Sequence, residues 1–404
     1  MQRSPEPFEF EYVPTETVYG RGCVSRLEKK LGEEGADRAL IVCGSNVGAN
    51  RDVMVPIEDG LGGKLVGVFD ETTPEKHLRT VLEGADRVHA DDVDILIGVG
   101  GGSALNVTRA ICSIVPLDQP HEDIVKKVRE TREVPSPDSS TDTFPNIAIP
   151  TTMAGADASA GGSIFVDGKL APESTDFAHI DANITDSRLM AEYNFYDPSL
   201  FATTPTAILA SSAMNGLDKG IETLYSRTAT PIAKAHSIEG LHHYSNGLTD
   251  LTKADAENSA IDHSVLGTLL VQYGRQTNLI HTFGNGISLH CDVQQGVVHG
   301  IVAPDVLRYV FDTADANRYR IADALGINTT NLDPEAVAGS IVDEIARIRD
   351  ALGLPERLRG LKGVEFDDFP MLVEEISVNY KHARNPEGVD PTAADIKAIL
   401  EAAW

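Results

Sequence analysis

Cysteine is scarce and scattered in this chain: Cys23, Cys43, Cys112 and Cys291 stand far apart among 404 residues, with no CxxC pair. That excludes a disulfide scaffold, fits reduced thiols, and leaves no cysteine with the signature of a nucleophile. Long hydrophobic runs are missing as well, none approaching the roughly 20 residues needed to span a bilayer. The opening Met-Gln-Arg-Ser-Pro-Glu-Pro lacks a basic region followed by an apolar core, so a cytoplasmic location is expected. Basic residues are few, 34 against 61 acidic ones, for a net charge of −27 at pH 7 and a pI near 4.7. Nucleic acids and anionic membranes, which need a cationic face, are thereby excluded as expected partners.

What is present is enough for a large core: 42% of the residues are hydrophobic, and the length favours two or three domains. The acid is spread along the chain, as in Asp-Glu-Thr-Thr-Pro-Glu75 and Ala-Asp-Asp-Val-Asp94. It reads as a heavily hydrated, halophilic surface suited to a high-salt cytoplasm.

The most informative stretch is Asp94 to Ile111, an apolar run that breaks into Gly100-Gly101-Gly102-Ser103 and continues with helical periodicity. Without Cβ atoms the three glycines let the backbone approach a ligand, and their N–H groups stand at a helix start, where a diphosphate is held by backbone donors and the helix dipole. The spacing is neither Gly-x-Gly-x-x-Gly nor a Walker loop, which would need a closing lysine. A plain glycine turn packing strand on helix is the competing reading.

Around this stretch, apolar strands are expected at Arg38–Ser45, Leu65–Asp70, Ile95–Val99 and Asn146–Pro150, with a short strand and a Gly-rich turn between Tyr12 and Arg26. A helical pattern fills Pro74–His89, and Glu130–Thr143, rich in Pro, Ser, Thr and Asp, is a surface loop. Such alternation predicts a parallel sheet with right-handed crossovers and a ligand site at the carboxyl ends of its strands. Thr151 and Thr152, opening a run of small residues after a strand, suit hydroxyl and backbone contacts to a ribose or diphosphate. Beyond Tyr196-Asp-Pro-Ser-Leu200 helical periodicity dominates: Thr206–Ser226, Ile232–Tyr244, Asp255–Gln272, Thr277–Ser288, Val297–Asp312, Pro334–Leu352 and Thr392–Ala403. The expected division is an α/β domain over residues 1–198 and an all-helical domain over 199–404.

Taken in order, Gly-Gly-Gly-Ser103, Ile-Pro-Thr-Thr152, Asp197-Pro-Ser-Leu200, Asn215-Gly-Leu-Asp-Lys-Gly-Ile-Glu222, His281-Thr-Phe-Gly-Asn-Gly286, Pro304-Asp-Val-Leu-Arg-Tyr309 and Asn385-Pro-Glu resemble the iron-containing (group III) alcohol dehydrogenase superfamily, which includes glycerol dehydrogenases and 3-dehydroquinate synthases. The resemblance covers nearly the whole chain. It implies a dinucleotide-binding α/β domain with a parallel sheet, an all-α catalytic domain, a cleft between them, and a homodimer, as relatives commonly dimerise. It further implies that Gly100, Gly101, Gly102 and Ser103 hold the diphosphate of NAD or NADP, with Thr151 and Thr152 lining the coenzyme. Members that prefer NAD typically end the first strand in Asp, whereas Gly44, Ser45 and Asn46 stand here, which leans towards NADP. Asp70 reads as a strand-end cap.

The four places that hold iron or zinc in metal-binding relatives fall, without gaps, on Asn215, Lys219, His281 and Gln295. An ammonium repels a divalent cation and carboxamides are poor substitutes for carboxylate and imidazole, so a metal built from these four is not expected. A substitute set for zinc or iron is His281, His299 and Asp218, the two histidines standing 18 residues apart (299 − 281). Against that set, Asp218 lies three residues past Asn215 and points about 60° away from the family's carboxylate direction. The favoured expectation is a metal-independent enzyme acting on a small alcohol or carbonyl compound, with Lys219 in place of the cation, His281 relaying a proton and Asn215 orienting Lys219 or the substrate. The alternatives are a dehydroquinate-synthase-like cyclase that uses NAD transiently, and a non-catalytic nucleotide-binding relative.

Overall fold

The computed structural model describes residues 7–11, 15–166, 180–253, 258–291, 293–380 and 382–404. The expected strand start at Tyr12 and helix start at Asp255 lie outside them. The chain divides into two compact units, Val13–Thr204 and Pro205–Trp404, the second joined by residues 7–11. The boundary thus falls six residues later than the expected 198/199, because Asp197 caps the short helix that closes the first unit, its carboxylate accepting from the Ser199 amide.

In the first unit the order is β1 (Glu16–Tyr19), α1 (Leu27–Glu33), β2 (Ala39–Gly44), α2 (Ser45–Gly48), α3 (Arg51–Leu61), β3 (Leu65–Thr72) and α4 (Leu78–Ala90). It continues with β4 (Ile95–Gly100), α5 (Gly102–Ile114), α6 (His121–Thr131), β5 (Asn146–Pro150), β6 (Gly162–Val166), β7 (Ile180–Ile184), β8 (Tyr193–Tyr196) and α7 (Pro198–Phe201). Six strands form one parallel sheet in the order β1-β8-β5-β4-β2-β3, and β6 and β7 pair separately as an antiparallel ribbon. The sheet is buried on both faces, which is why its strands read as unbroken apolar runs rather than alternating ones. Leu40, Val42 and Leu96 pack on one side, while Ala39, Ile41, Ile95, Ile97, Ile147 and Phe195 pack on the other.

The expected helix Pro74–His89 begins only at Leu78. Thr73 to Lys76 instead close a turn, the Lys76 amide donating to the Thr73 carbonyl and Lys76 adopting φ 52°. Asp70 is not a strand-end cap either: β3 runs on to Thr72, and the Asp70 side chain lies against Gly48 of α2.

The second unit is helical: α8 (Thr206–Tyr225), α9 (Pro231–Gly247), α10 (Asn258–Val271), α11 (Leu279–His290), α12 (Gln295–Thr313), α13 (Arg318–Ala324), α14 (Pro334–Ala351), α15 (Phe369–Asn379) and α16 (Ala393–Ala403). Its centre is α8, buried from Leu209 to Tyr225 and packed against α9, α10, α11 and α12. No described helix is long and apolar enough to cross a membrane. All four cysteines are buried free thiols, and burial pushes Cys23 and Cys43 up to about 12, so none is a ready nucleophile.

Candidate active site

The sheet supplies the first centre. From β2 the chain crosses to β3 on one side, and from β4 it crosses to β5 on the other, so the strand order reverses between β2 and β4. In open parallel sheets that reversal leaves a crevice at the carboxyl ends of the strands. The two strands run in register with Val42 opposite Gly98, which sets Gly44 and Gly100 side by side at those ends. From Gly44 the backbone enters α2 with Ser45 and Asn46 exposed, and from Gly100, at φ 132°, it enters α5 through Gly101 and Gly102.

Thr151 joins this turn through its amide, which donates to the Gly100 carbonyl at 3.0 Å. Thr152 packs against Gly101 so closely that a Cβ there would lie 3.1 Å from its methyl. Ser103 turns its hydroxyl towards the Pro74 carbonyl at 3.5 Å, leaving backbone amides as the donors at the start of α5. The segments singled out in the sequence, 44–46, 100–103 and 151–152, are therefore gathered around one end of one sheet.

Two residues near this turn escaped the sequence reading. Arg109, on α5 and 3% exposed, donates to Asn106 Oδ1 at 3.0 Å and to the Ala156 carbonyl, tying down the small-residue loop that follows Thr152. Lys76 donates to Ser163 Oγ at 2.9 Å and stands 5.2 Å from the Phe165 ring centroid, with burial holding its ammonium below the usual lysine range. Neither lies in a recognisable motif.

The second centre is the polar face of α8. Asn215, Asp218, Lys219 and Glu222 recur there at i, i+3, i+4 and i+7, one face of a helix otherwise apolar, and all are buried. The amide of Asn215 donates to Gln295 Oε1 at 2.8 Å, and the amide of Gln295 donates in turn to Asn285 Oδ1. Asn215, expected to orient Lys219 or the substrate, thus has its amide N–H directed at Gln295. Lys219 is 7% exposed, and its charge helps hold His299 unprotonated.

Glu222 is the residue that the sequence reading missed. Its carboxylate accepts from the backbone amides of Asn278 and Ile280, both at 2.7 Å, and from the Tyr225 hydroxyl at 3.1 Å, and His281 Nδ1 lies within hydrogen-bond distance of it at 2.6 Å. Burial pushes its carboxyl up to about 7, against the pull of the backbone amides. The available signal was its place on the same helical stripe as Asn215, Asp218 and Lys219.

The substitute metal set is brought together in one buried cluster. The His281 and His299 rings meet edge to face with centroids 4.3 Å apart, and His299 Nδ1 lies 3.3 Å from Asp218 Oδ2. His281 Nδ1 is engaged by Glu222, which leaves its Nε2 as the ring atom that could ligate, and His299 Nε2 lies over Gly284, where an added Cβ would come within 2.1 Å. Among the described residues no three His, Cys, Asp or Glu side chains converge as a metal site would need. The family positions fit no better, since Asn215 and Gln295 are tied to each other and Lys219 brings a positive charge. Burial disfavours the charged form of both partners of the Asp218–His299 pair, raising Asp218 well above the ordinary carboxylate value and lowering His299 to about 3.

A parallel-sheet unit with a glycine turn at its strand reversal, where open α/β sheets bind their ligands, precedes a helical unit with a buried polar face. The chain belongs to the iron-containing alcohol dehydrogenase family and is an alcohol-dehydrogenase-like oxidoreductase: the family's model matches residues 14–198, and that of the Fe-containing alcohol dehydrogenase family C-terminal region matches residues 209–404. It is 24% identical over 391 residues to lactaldehyde reductase of Escherichia coli K12, covering 96% of this chain and 97% of that protein. It is 27% identical over 407 residues to 4-hydroxybutyrate dehydrogenase of Cupriavidus necator, covering 97% and 99%. Among solved structures it resembles a 1,3-propanediol oxidoreductase (TM-score 0.85, 20% identity, covering 98% of this chain and 100% of that one). It also resembles a sulfoacetaldehyde reductase from Bifidobacterium kashiwanohense in complex with NAD+ (TM-score 0.81, 18% identity, covering 98% and 99%).

Proposed function

We propose that this oxidoreductase interconverts a small alcohol and its aldehyde or ketone with NAD(P), and does so without a metal. The observation that carries the reading is the bond from Asn215 to Gln295, beside Lys219: two family metal positions are carboxamides spent on each other, and a third is an ammonium. The coenzyme is assigned to the turn formed by Gly44–Asn46, Gly100–Ser103 and Thr151–Thr152. The exposed Ser45 and Asn46 leave room for a 2′-phosphate, which favours NADP.

In the reducing direction NAD(P), held at that turn, would supply the hydride for the carbonyl carbon, leaving alkoxide charge on the oxygen. The Lys219 ammonium stabilises that charge and supplies the proton, and protonated His281 returns one to the lysine. Hydride and proton together convert the carbonyl to the alcohol and leave oxidised coenzyme. The curated relatives named above point to small aldehydes as the substrate class.

The test is purified protein in molar salt with excess chelator, NADPH or NADH, and a panel that includes lactaldehyde and the aldehyde of 4-hydroxybutyrate. Net coenzyme oxidation is expected. Lys219→Ala should lower kcat at least about a hundred-fold with coenzyme affinity intact. Restoration of an inactive enzyme by zinc or iron, or near-normal turnover in the lysine variant, would overturn the reading.

A further inference from the structure

Glu222 stands at the centre of the second unit with no exposed surface, on the stripe of α8 that carries Lys219. A buried carboxylate on a helix needs a reason to be there. Part of the reason lies in α11, whose opening amides point at it: Asn278, Ile280 and His281 all donate to it through the backbone, the last at 3.3 Å. Capping alone would satisfy both partners, yet the shortest of its bonds, 2.6 Å, goes to the His281 ring.

That bond bears on how the imidazole is loaded. When ionised, Glu222 can only accept, and His281 then carries a proton on Nδ1 while Nε2 holds the lone pair of the neutral ring. Turning the ring over would put a C–H against the carboxylate. The His299 ring, edge to face at 4.3 Å and itself wholly buried, also confines it.

We infer that Glu222 is a positioning residue for the proton transfer assigned to His281: it fixes the imidazole as the Nδ1–H form, presents Nε2 to the proton path, and stabilises the imidazolium. The inference rests on the proposed role of Lys219 and His281. The proton ledger then closes. A proton delivered to the buried Nε2 gives an imidazolium that keeps its Nδ1–H towards Glu222. That imidazolium gives the Nε2 proton to the neutral amine left on Lys219, and the ring returns to the Nδ1–H form. A helix cap would need none of this, and a glutamine could supply much of it.

The experiment is 15N NMR of histidine-labelled enzyme, with His281→Asn used to assign the ring, on wild type, Glu222→Gln and Glu222→Asp, alongside kinetics. Wild type should show the Nδ1–H tautomer. Glu222→Gln, whose amide N–H must face a ring acceptor, should convert it to Nε2–H and lower kcat about a hundred-fold with the coenzyme KM unchanged. Glu222→Asp should keep the Nδ1–H form and recover part of kcat. An Nε2–H ring in wild type would overturn the inference even if no variant folds. A converted ring with undiminished kcat would overturn it too, as would loss of stability in both variants with neither tautomer nor kcat moved. Failure of the underlying reading shows separately, as normal turnover in Lys219→Ala.

Discussion

His299 Nε2 lies where a side chain at position 284 would begin: a Cβ on Gly284 would come within 2.1 Å of it. Gly284 sits inside α11, and at an open helix-interior site glycine to alanine gains up to about 1 kcal/mol. Here the sign should reverse. The methyl would drive His299 off a ring position closed by His281 and Asp218, an overpacking cost of about 1–3 kcal/mol. Gly284→Ala should therefore lower the denaturant midpoint, and a raised midpoint would show that the His299 pocket is slack.

The Asp218–His299 pair contributes to both flanks of the pH–stability curve. Asp218 is raised well above its ordinary value of 3.8 by burial, so the folded chain keeps a proton that the unfolded chain loses. Its contribution is fully present below pH 3.8 and is lost as pH rises through the folded value. His299 is lowered from 6.5 to about 3, so its contribution is present above 6.5 and is lost as pH falls towards 3. Asp218→Asn removes the alkaline loss and leaves the acid one. At pH 8 and fixed salt the variant should have the higher guanidinium midpoint, with the two curves converging near pH 4. A variant less stable at pH 8 would mean that Asp218 is ionised and useful in the native state.

How much of this was legible beforehand follows from how each segment is buried. Strands buried on both faces announce themselves as apolar runs, and β5 falls on the expected Asn146–Pro150. The ribbon of β6 and β7 and the four-residue β8 were missed, the first because Gly162 and Ser163 read as more loop, the last because Tyr193–Tyr196 is too short to show a period. The charged helix α6, with Ile124 and Val128 as its buried residues, was not marked, and its last two residues fall inside the expected loop from Glu130. At the site, Lys219 and His281 were marked as candidate functional residues by their places in ordered motifs, whereas Glu222, in the same motif as Lys219, shows its role only where the start of α11 closes over it.

The acidic surface makes a prediction about the whole chain. With −27 net charge, self-repulsion acts over about 10 Å at 0.1 M salt and about 3 Å at 1 M. The circular dichroism melting midpoint should fall steeply as molar potassium chloride is dialysed away, and secondary structure should loosen at the lowest salt. A midpoint indifferent to salt would remove the halophilic reading and leave the catalytic one untouched.

Coenzyme choice tests the other end of the molecule. Ser45 is exposed at the first residue of α2, beside Gly44, whose strand partner end is Gly100. A carboxylate placed there would accept hydrogen bonds from ribose hydroxyls and repel a 2′-phosphate. Ser45→Asp should therefore raise the KM for NADPH ten- to a hundred-fold relative to NADH, about 1.4–2.8 kcal/mol of discrimination. Asp70 is already near, against Gly48 on the same short helix, so the wild-type preference for NADP is expected to be moderate. Asp70→Asn should strengthen that preference while Ser45→Asp reverses it. If both variants leave the NADPH to NADH ratio where it was, the ribose is bound elsewhere, and the assignment of the coenzyme to the crevice between β2 and β4 fails with it.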